Sequence, residues 1–91
     1  MIFKASVLIL TQDRPLILKR CLFSVLKQKL LPNQVVIIDN GSGRGTREII
    51  NEFRQRLKID YFQEKIIGEA FSRNRALKLA KGDILIFIDD D

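Results

Sequence analysis

The sequence predicts an α/β protein built on an open, mostly parallel sheet, with elements in the order β-α-β-α-β-α-β. Three observations carry this expectation. Apolar spacing switches repeatedly between short β-prone runs and helical stripes along the 91 residues. Each stretch between candidate strands is long enough for a helix, and helical crossovers force neighbouring strands to run parallel. Finally, Val35-Val36-Ile37-Ile38 is apolar without alternation, as in a strand covered on both faces.

The elements follow in order. Phe3 to Leu10 is apolar and β-prone and reads as the first strand. Thr11 to Pro15 is a loop, with Pro15 suited to a first helical turn. Leu18, Cys21, Leu22, Val25 and Leu26 then fall on one helix face, so Cys21 is expected as a core thiol. Leu31-Pro32-Asn33 breaks that helix before the strand at 35–38. Residues 39–45 read as a turn, with Asn40, Gly41 and Gly43 supplying its tight part and Thr46 as N-cap of the next helix. Ile49, Ile50, Phe53 and Leu57 form that helix's stripe. Lys58 to Phe62 is a short third strand, and Glu69 to Lys81 a third helix with Gly82 at its C′ stop. Phe71 is expected in the core. Ile84 to Ile88 is the last strand and the most hydrophobic, and it runs into Asp89-Asp90-Asp91.

Composition narrows the chemistry. The chain has 16 Lys and Arg, 11 Asp and Glu and no His. Without His there is no imidazole base for a Ser or Cys nucleophile and no imidazole metal ligand. A single Cys excludes an internal disulfide framework and reads as a reduced thiol in a cytosolic protein. No apolar run reaches the length of a membrane span, and the N-terminus is a poor signal peptide. All the bases lie in residues 1–82, while residues 83–91 hold four acids and no base. The basic part reads either as solvated helix faces or as a surface for anionic partners.

In open α/β sheets ligands bind outside the strand carboxyl ends, where strand order reverses. The Thr11 loop, the Asp39 turn and the Asp89 triplet all follow such ends and should share one edge. In extended chain Asp89 and Asp91 point one way and Asp90 the other. Two carboxylates side by side repel, and a hard divalent cation, Mg²⁺ or Mn²⁺, relieves the repulsion; the plainer alternative is a solvated acidic end. Asp39 either accepts N–H groups or hydroxyls of a nucleoside, or makes an Asx-turn over Asn40-Gly41. Arg73 and Arg75 near a helix start, and Arg14 in the first loop, either hold phosphate or are solvated. The run Gly41-Ser42-Gly43-Arg44-Gly45 is a poor dinucleotide fingerprint, one residue short and after the wrong strand.

These pieces resemble the family 2 glycosyltransferases of the GT-A fold. Residues 6–15 (SVLILTQDRP) look like the family's first strand and loop, and Val36 to Ser42 with Gly45 to Ile50 like its second strand, turn and helix. Phe71 to Leu77 is similar to its Ala-Arg-Asn segment, and Ile88 to Asp91 to its Asp-x-Asp motif. The resemblance implies a Rossmann-like half of a GT-A fold. It also implies inverting transfer of a sugar from a nucleotide-sugar, a UDP-sugar first, to an acceptor hydroxyl. The implied nucleotide-binding residues are Thr11, Gln12, Arg14, Asp39, Arg73, Asp89 and Asp90, and Asp89 and Asp91 would hold Mn²⁺ or Mg²⁺.

Three positions depart from the pattern: Gln12 stands where an aromatic is frequent, Asn40 where a second Asp is common, and Arg44 where an acid is usual. Family domains run well past the Asp-x-Asp motif. Residues 1–91 are therefore expected to be the nucleotide-sugar-binding part of a truncated domain, with no catalytic base among them. The resemblance brings no nucleic-acid partner and no membrane span, a cytoplasmic site of action (at a membrane surface in a longer form), and self-association through sheet left bare. A receiver domain is disfavoured because the acids close the chain rather than open it, and a P-loop NTPase because no Gly-x4-Gly-Lys-Ser/Thr loop exists. A non-catalytic module that binds nucleotide or only self-associates is the alternative.

Overall fold

The computed structural model describes residues 3–90. Four strands, β1 (Ala5–Thr11), β2 (Gln34–Asp39), β3 (Ile59–Gln63) and β4 (Ile84–Asp89), alternate with helices α1 (Pro15–Leu26), α2 (Thr46–Phe53) and α3 (Glu69–Leu79). All three strand pairings are parallel, and the sheet order is β3-β2-β1-β4. The chain therefore winds outward from β1 to β3 and then crosses back to lay β4 on the other side of β1. Strand order reverses between β1 and β4. The expected α/β class, element order and parallel sheet all hold.

Side-chain alternation divides the interior into two layers of unequal size. Val7, Ile9, Val35, Ile37 and Ile59 point to one face and meet Leu18, Leu22 and Val25 of α1 and Ile49, Ile50 and Phe53 of α2. Leu8, Val36 and Ile38 point to the other face and meet α3 through Ala76, with Leu79 and Phe87 beside them. Every residue of β2 is buried, as its unbroken apolar run requires. By contrast Ile84, Leu85 and Ile86 of the edge strand β4 are 40–46% exposed.

Three local expectations are corrected. Thr46 is not the N-cap of α2: Gly45, at φ 76°, takes that place, and the Thr46 hydroxyl is buried without a partner among the described residues. Gly82 is not a left-handed helix stop. α3 ends at Leu79 with Ala80 extended, and Gly82 is needed because a Cβ there would stand 2.7–2.8 Å from Ser6 and the Lys4 carbonyl. Phe71 is not a core residue but 44% exposed, because α3 seats itself on small side chains, Ser72 and Ala76.

A buried polar network fixes the end of α3 to the sheet. Ser6 Oγ donates to Gln34 Oε1 at 2.7 Å, and the Lys81 and Gly82 amides donate to Gln34 Oε1 and Ser6 Oγ at 2.9 Å. Gln34 Nε2 in turn donates to Asp60 at 2.7 Å and to the Leu79 carbonyl at 3.1 Å. Every polar atom of the Gln34 side chain is thus used, as burial demands.

Candidate functional site

The carboxyl ends of β1 and β4 lie side by side, since Leu10 is in register with Asp89. A cleft of about 300 Å³ opens there, at the reversal of strand order where such sheets hold ligands. Its lining includes Thr11, Gln12, Arg14, Arg73, Asp89 and Asp90, so six of the expected nucleotide-binding residues come together. Leu10, Asn40, Glu69, Phe87 and Ile88 complete it.

Alternation at the end of β4 gives Asp89 and Asp90 different fates. Ile88 packs with the α1 side and Phe87 with the α3 side. Asp90, two residues after Ile88 and on its face, is 3% exposed; its Oδ2 accepts the Thr11 hydroxyl at 2.9 Å and its Oδ1 pairs with Arg14 Nη2 at 3.0 Å. A buried carboxylate needs such donors, and here it locks the first loop to the end of β4. Asp89, two residues after Phe87, is exposed and has no ion pair or side-chain hydrogen bond among the described residues. Asp91 lies outside the described residues.

Arg73, on α3, stacks its guanidinium 4.4 Å from the Phe87 ring centre and pairs with Glu69 at 3.0 Å. Arg75 faces elsewhere, 3.7 Å from Glu64. One turn into α3, Arg73 keeps its fork of donors at the cleft, with the ring and Glu69 fixing its direction.

Asp39 takes the Asx-turn. It is fully buried, Oδ1 accepts the Gly41 amide at 2.7 Å, and Oδ2 accepts the Tyr61 hydroxyl. Burial and this bond to Asp39 push the Tyr61 hydroxyl far up. Asp39 shares the rim, level with Thr11 in the sheet register, but it is not part of the cleft lining.

Two residues matter more than the sequence suggested. Asn40 Nδ2 donates to the Glu64 and Ile66 carbonyls at 2.9 and 3.0 Å, and its Oδ1 accepts Ser72 Oγ at 2.6 Å. One side chain thus ties β2, the loop before α3 and α3 itself, which an Asp lacking those N–H donors could not do. Asp13, at φ 50°, accepts the Ser42 amide and hydroxyl at 2.9 and 3.0 Å. Gly41 is required beneath it, since a Cβ would come within 2.5 Å of the Asp13 carboxylate.

On the α1 side a second cleft, about 380 Å³, includes Arg20, Cys21 and Ser24 with the same acids. The Cys21 thiol lies 3.6 Å from the Asp89 carbonyl. Burial first, then the charges of Asp90 and Asp89, push it up to about 11; Cys21 is half-buried against the core rather than within it, which corrects the expected core thiol, because its end of α1 opens onto this cleft.

Hard oxygen donors suit Mg²⁺ and Mn²⁺, and Asp89 is such a donor, free and at the rim. Among the described residues no group of three His, Cys, Asp or Glu side chains converges on one point. A cation here would thus take Asp89 from the described chain and its other ligands from elsewhere.

Comparison with known proteins gives the family and the fold. The family model described as Glycosyl transferase family 2 matches residues 6–91. Validoxylamine A glucosyltransferase of Streptomyces hygroscopicus subsp. limoneus is 34% identical over 88 residues, covering 92% of this chain and 19% of the relative. Among solved structures, S. aureus TarS 1-349 in complex with UDP superposes with a TM-score of 0.86 at 31% identity, over 97% of this chain and 27% of that one. The mannosyltransferase PcManGT from Pyrobaculum calidifontis, in complex with GDP-Man and Mn²⁺, shares the fold with a TM-score of 0.85 at 23% identity, over 100% of this chain and 28% of that one. The chain spans 19–28% of the length of these proteins.

Proposed function

The chain belongs to glycosyl transferase family 2, and on that premise we propose that it forms the donor-binding part of an enzyme that moves a sugar from a nucleoside-diphosphate sugar to an acceptor hydroxyl with inversion. The observation that carries this reading is the cleft between β1 and β4, where Thr11, Gln12, Arg14, Arg73, Asp89 and Asp90 converge. A uridine nucleotide is the first choice, since S. aureus TarS, at 31% identity, was solved with UDP.

Each residue has a part that its surroundings support. Arg73 offers forked N–H donors to phosphate oxygens and is already held in place by Phe87 and Glu69. Asp90 holds Thr11 and Arg14 so that the first loop keeps its shape against the base. Gln12 presents an amide in place of an aromatic face, so the base would meet hydrogen bonds rather than stacking. Asp39 orders the turn that carries Asn40 and Gly41, and reaches the nucleoside only if it gives up the Tyr61 hydroxyl. Asp89, with Asp91 beyond the described residues, would hold Mn²⁺ or Mg²⁺. Such an ion, when bound, stabilises the charge that grows on a departing diphosphate. No residue of this chain is assigned as general base.

Calorimetric titration with UDP tests the reading. Binding is expected with Mn²⁺ or Mg²⁺ and lost with chelator. Asp89→Asn should weaken it about tenfold or more, as loss of a metal-ligating charge would. Glu48→Gln, on an exposed helix face, should change nothing. Binding that ignores both chelator and Asp89→Asn removes the metal from the proposal. Self-association through the uncovered side of β4 belongs to the same reading, supported by the exposed Ile84, Leu85 and Ile86.

A further inference from the structure

Charge is divided across the sheet in a way that the donor site does not use. Since all strands are parallel, the three connections from helix to strand (27–33, 54–58 and 80–83) and residues 3–4 gather at the amino edge. Those segments carry seven bases and one acid, Asp83. The carboxyl-edge loops, counted with Asp39 and Asp89, carry three bases and five acids over the described residues. The first connection supplies Lys27 and Lys29, the second Arg54, Arg56 and Lys58, all exposed. None of these five makes an ion pair among the described residues.

The same edge exposes large apolar side chains. Leu30 is 89% exposed and Leu31 48%, directly after Lys27 and Lys29, and Phe3 is 58% exposed. Leu30 and Leu31 are not on a loose tip. The Asn33 amide donates to the Ala5 carbonyl at 2.9 Å, and Asn33 Oδ1 accepts the Ala5 amide at 2.9 Å, which clamps the connection to the start of β1.

Bases around fixed, protruding leucines match one kind of partner. Polyanions with only charge would leave Leu30 and Leu31 in water, and leucine offers no ring for a nucleic-acid base to stack on. An anionic lipid surface uses both properties, the bases at headgroup phosphates and the leucines at the acyl boundary. We propose that the amino edge of the sheet, centred on residues 27–31, docks on an anionic bilayer. The docked chain then holds its donor cleft at the opposite edge, away from the lipid. This surface is independent of the nucleotide reading, because none of its residues lines either cleft.

Flotation with phosphatidylcholine vesicles, with and without about 30% phosphatidylglycerol at about 0.15 M salt, tests it. The chain should float with the anionic vesicles and not with the neutral ones. Lys27→Glu with Lys29→Glu, and separately Leu30→Ser with Leu31→Ser, should each reduce binding about tenfold or more. Arg44→Glu with Lys65→Glu, an equal change of charge at the other edge, should keep most of it. Unchanged circular dichroism shows that the variants fold. The proposal is overturned if vesicles are not bound, if the Arg44 and Lys65 variant loses as much as the Lys27 and Lys29 variant, or if the serine variant binds undiminished. Preference for a single-stranded RNA probe over anionic vesicles would overturn it equally.

Discussion

Asp90 and Asp89 are neighbours in sequence with opposite surroundings, and that difference organises the site. Asp90 turns inward and is consumed by Thr11 and Arg14; Asp89 turns outward and has no side-chain partner among the described residues. The alternation itself was legible in the sequence, because successive side chains in extended backbone face opposite ways. The partners were not, since Thr11 and Asp90 are 79 residues apart and only the sheet register makes them meet. Asp39 is a parallel case. Its Asx-turn was one of two readings open in the sequence, and the Tyr61 hydroxyl that fills its other oxygen comes from a different strand. Cys21 yields a prediction at this scale. With its thiol pushed up to about 11 from an ordinary 9.0, the folded chain holds that proton more tightly than the unfolded chain does. This contribution to stability is fully present below pH 9.0 and is lost as pH rises towards about 11. Alkylation by iodoacetamide at pH 8 should therefore be slow in the folded chain and fast in denaturant; equal rates would place the thiolate in the folded state.

At the scale of elements, α1 and β2 were the most readable, one from a full apolar stripe and the other from an unbroken apolar run. Their signals are local and strong, and tertiary contacts only reinforce them. α3 was the least readable at its ends and on its faces. Its buried side is made of Ser72 and Ala76, too small to mark a stripe, which leaves Phe71 and Leu77 exposed. Gly82 was noticed for the wrong reason: the demand on it comes from Lys4 and Ser6 at the far end of the chain, not from the helix before it. Gly82→Ala should therefore destabilise by about 1–3 kcal/mol, the usual cost of forcing a methyl into packed backbone. Chemical denaturation measures this, and an unchanged midpoint would show that the connection between α3 and β4 yields freely.

For the whole molecule, the class of fold and the common rim of Thr11, Asp39 and Asp89 followed from strand order alone, since parallel winding sends every strand-to-helix loop to one edge. The sheet is less complete than its hydrophobicity implies. β4, the most apolar strand by sequence, sits at an edge with Ile84, Leu85 and Ile86 uncovered and one row of its backbone groups unpaired within the sheet. Such an edge pairs readily with another. Light scattering should find dimers or larger species that grow with concentration, and Ile86→Lys should shift them towards monomer. A clean monomer at high concentration would contradict this expectation.

The helix that bears Arg73 is fastened differently from the rest. α1 and α2 are glued down by a broad hydrocarbon contact, whereas α3 rests on Ala76 and is pinned at two points, Ser72 to Asn40 and the Leu79 carbonyl to Gln34. One side of the sheet is therefore held mainly by hydrocarbon and the other mainly by hydrogen bonds, so trimming Ser72 or Asn40 would slacken the helix that carries Arg73 before it disturbed the opposite layer.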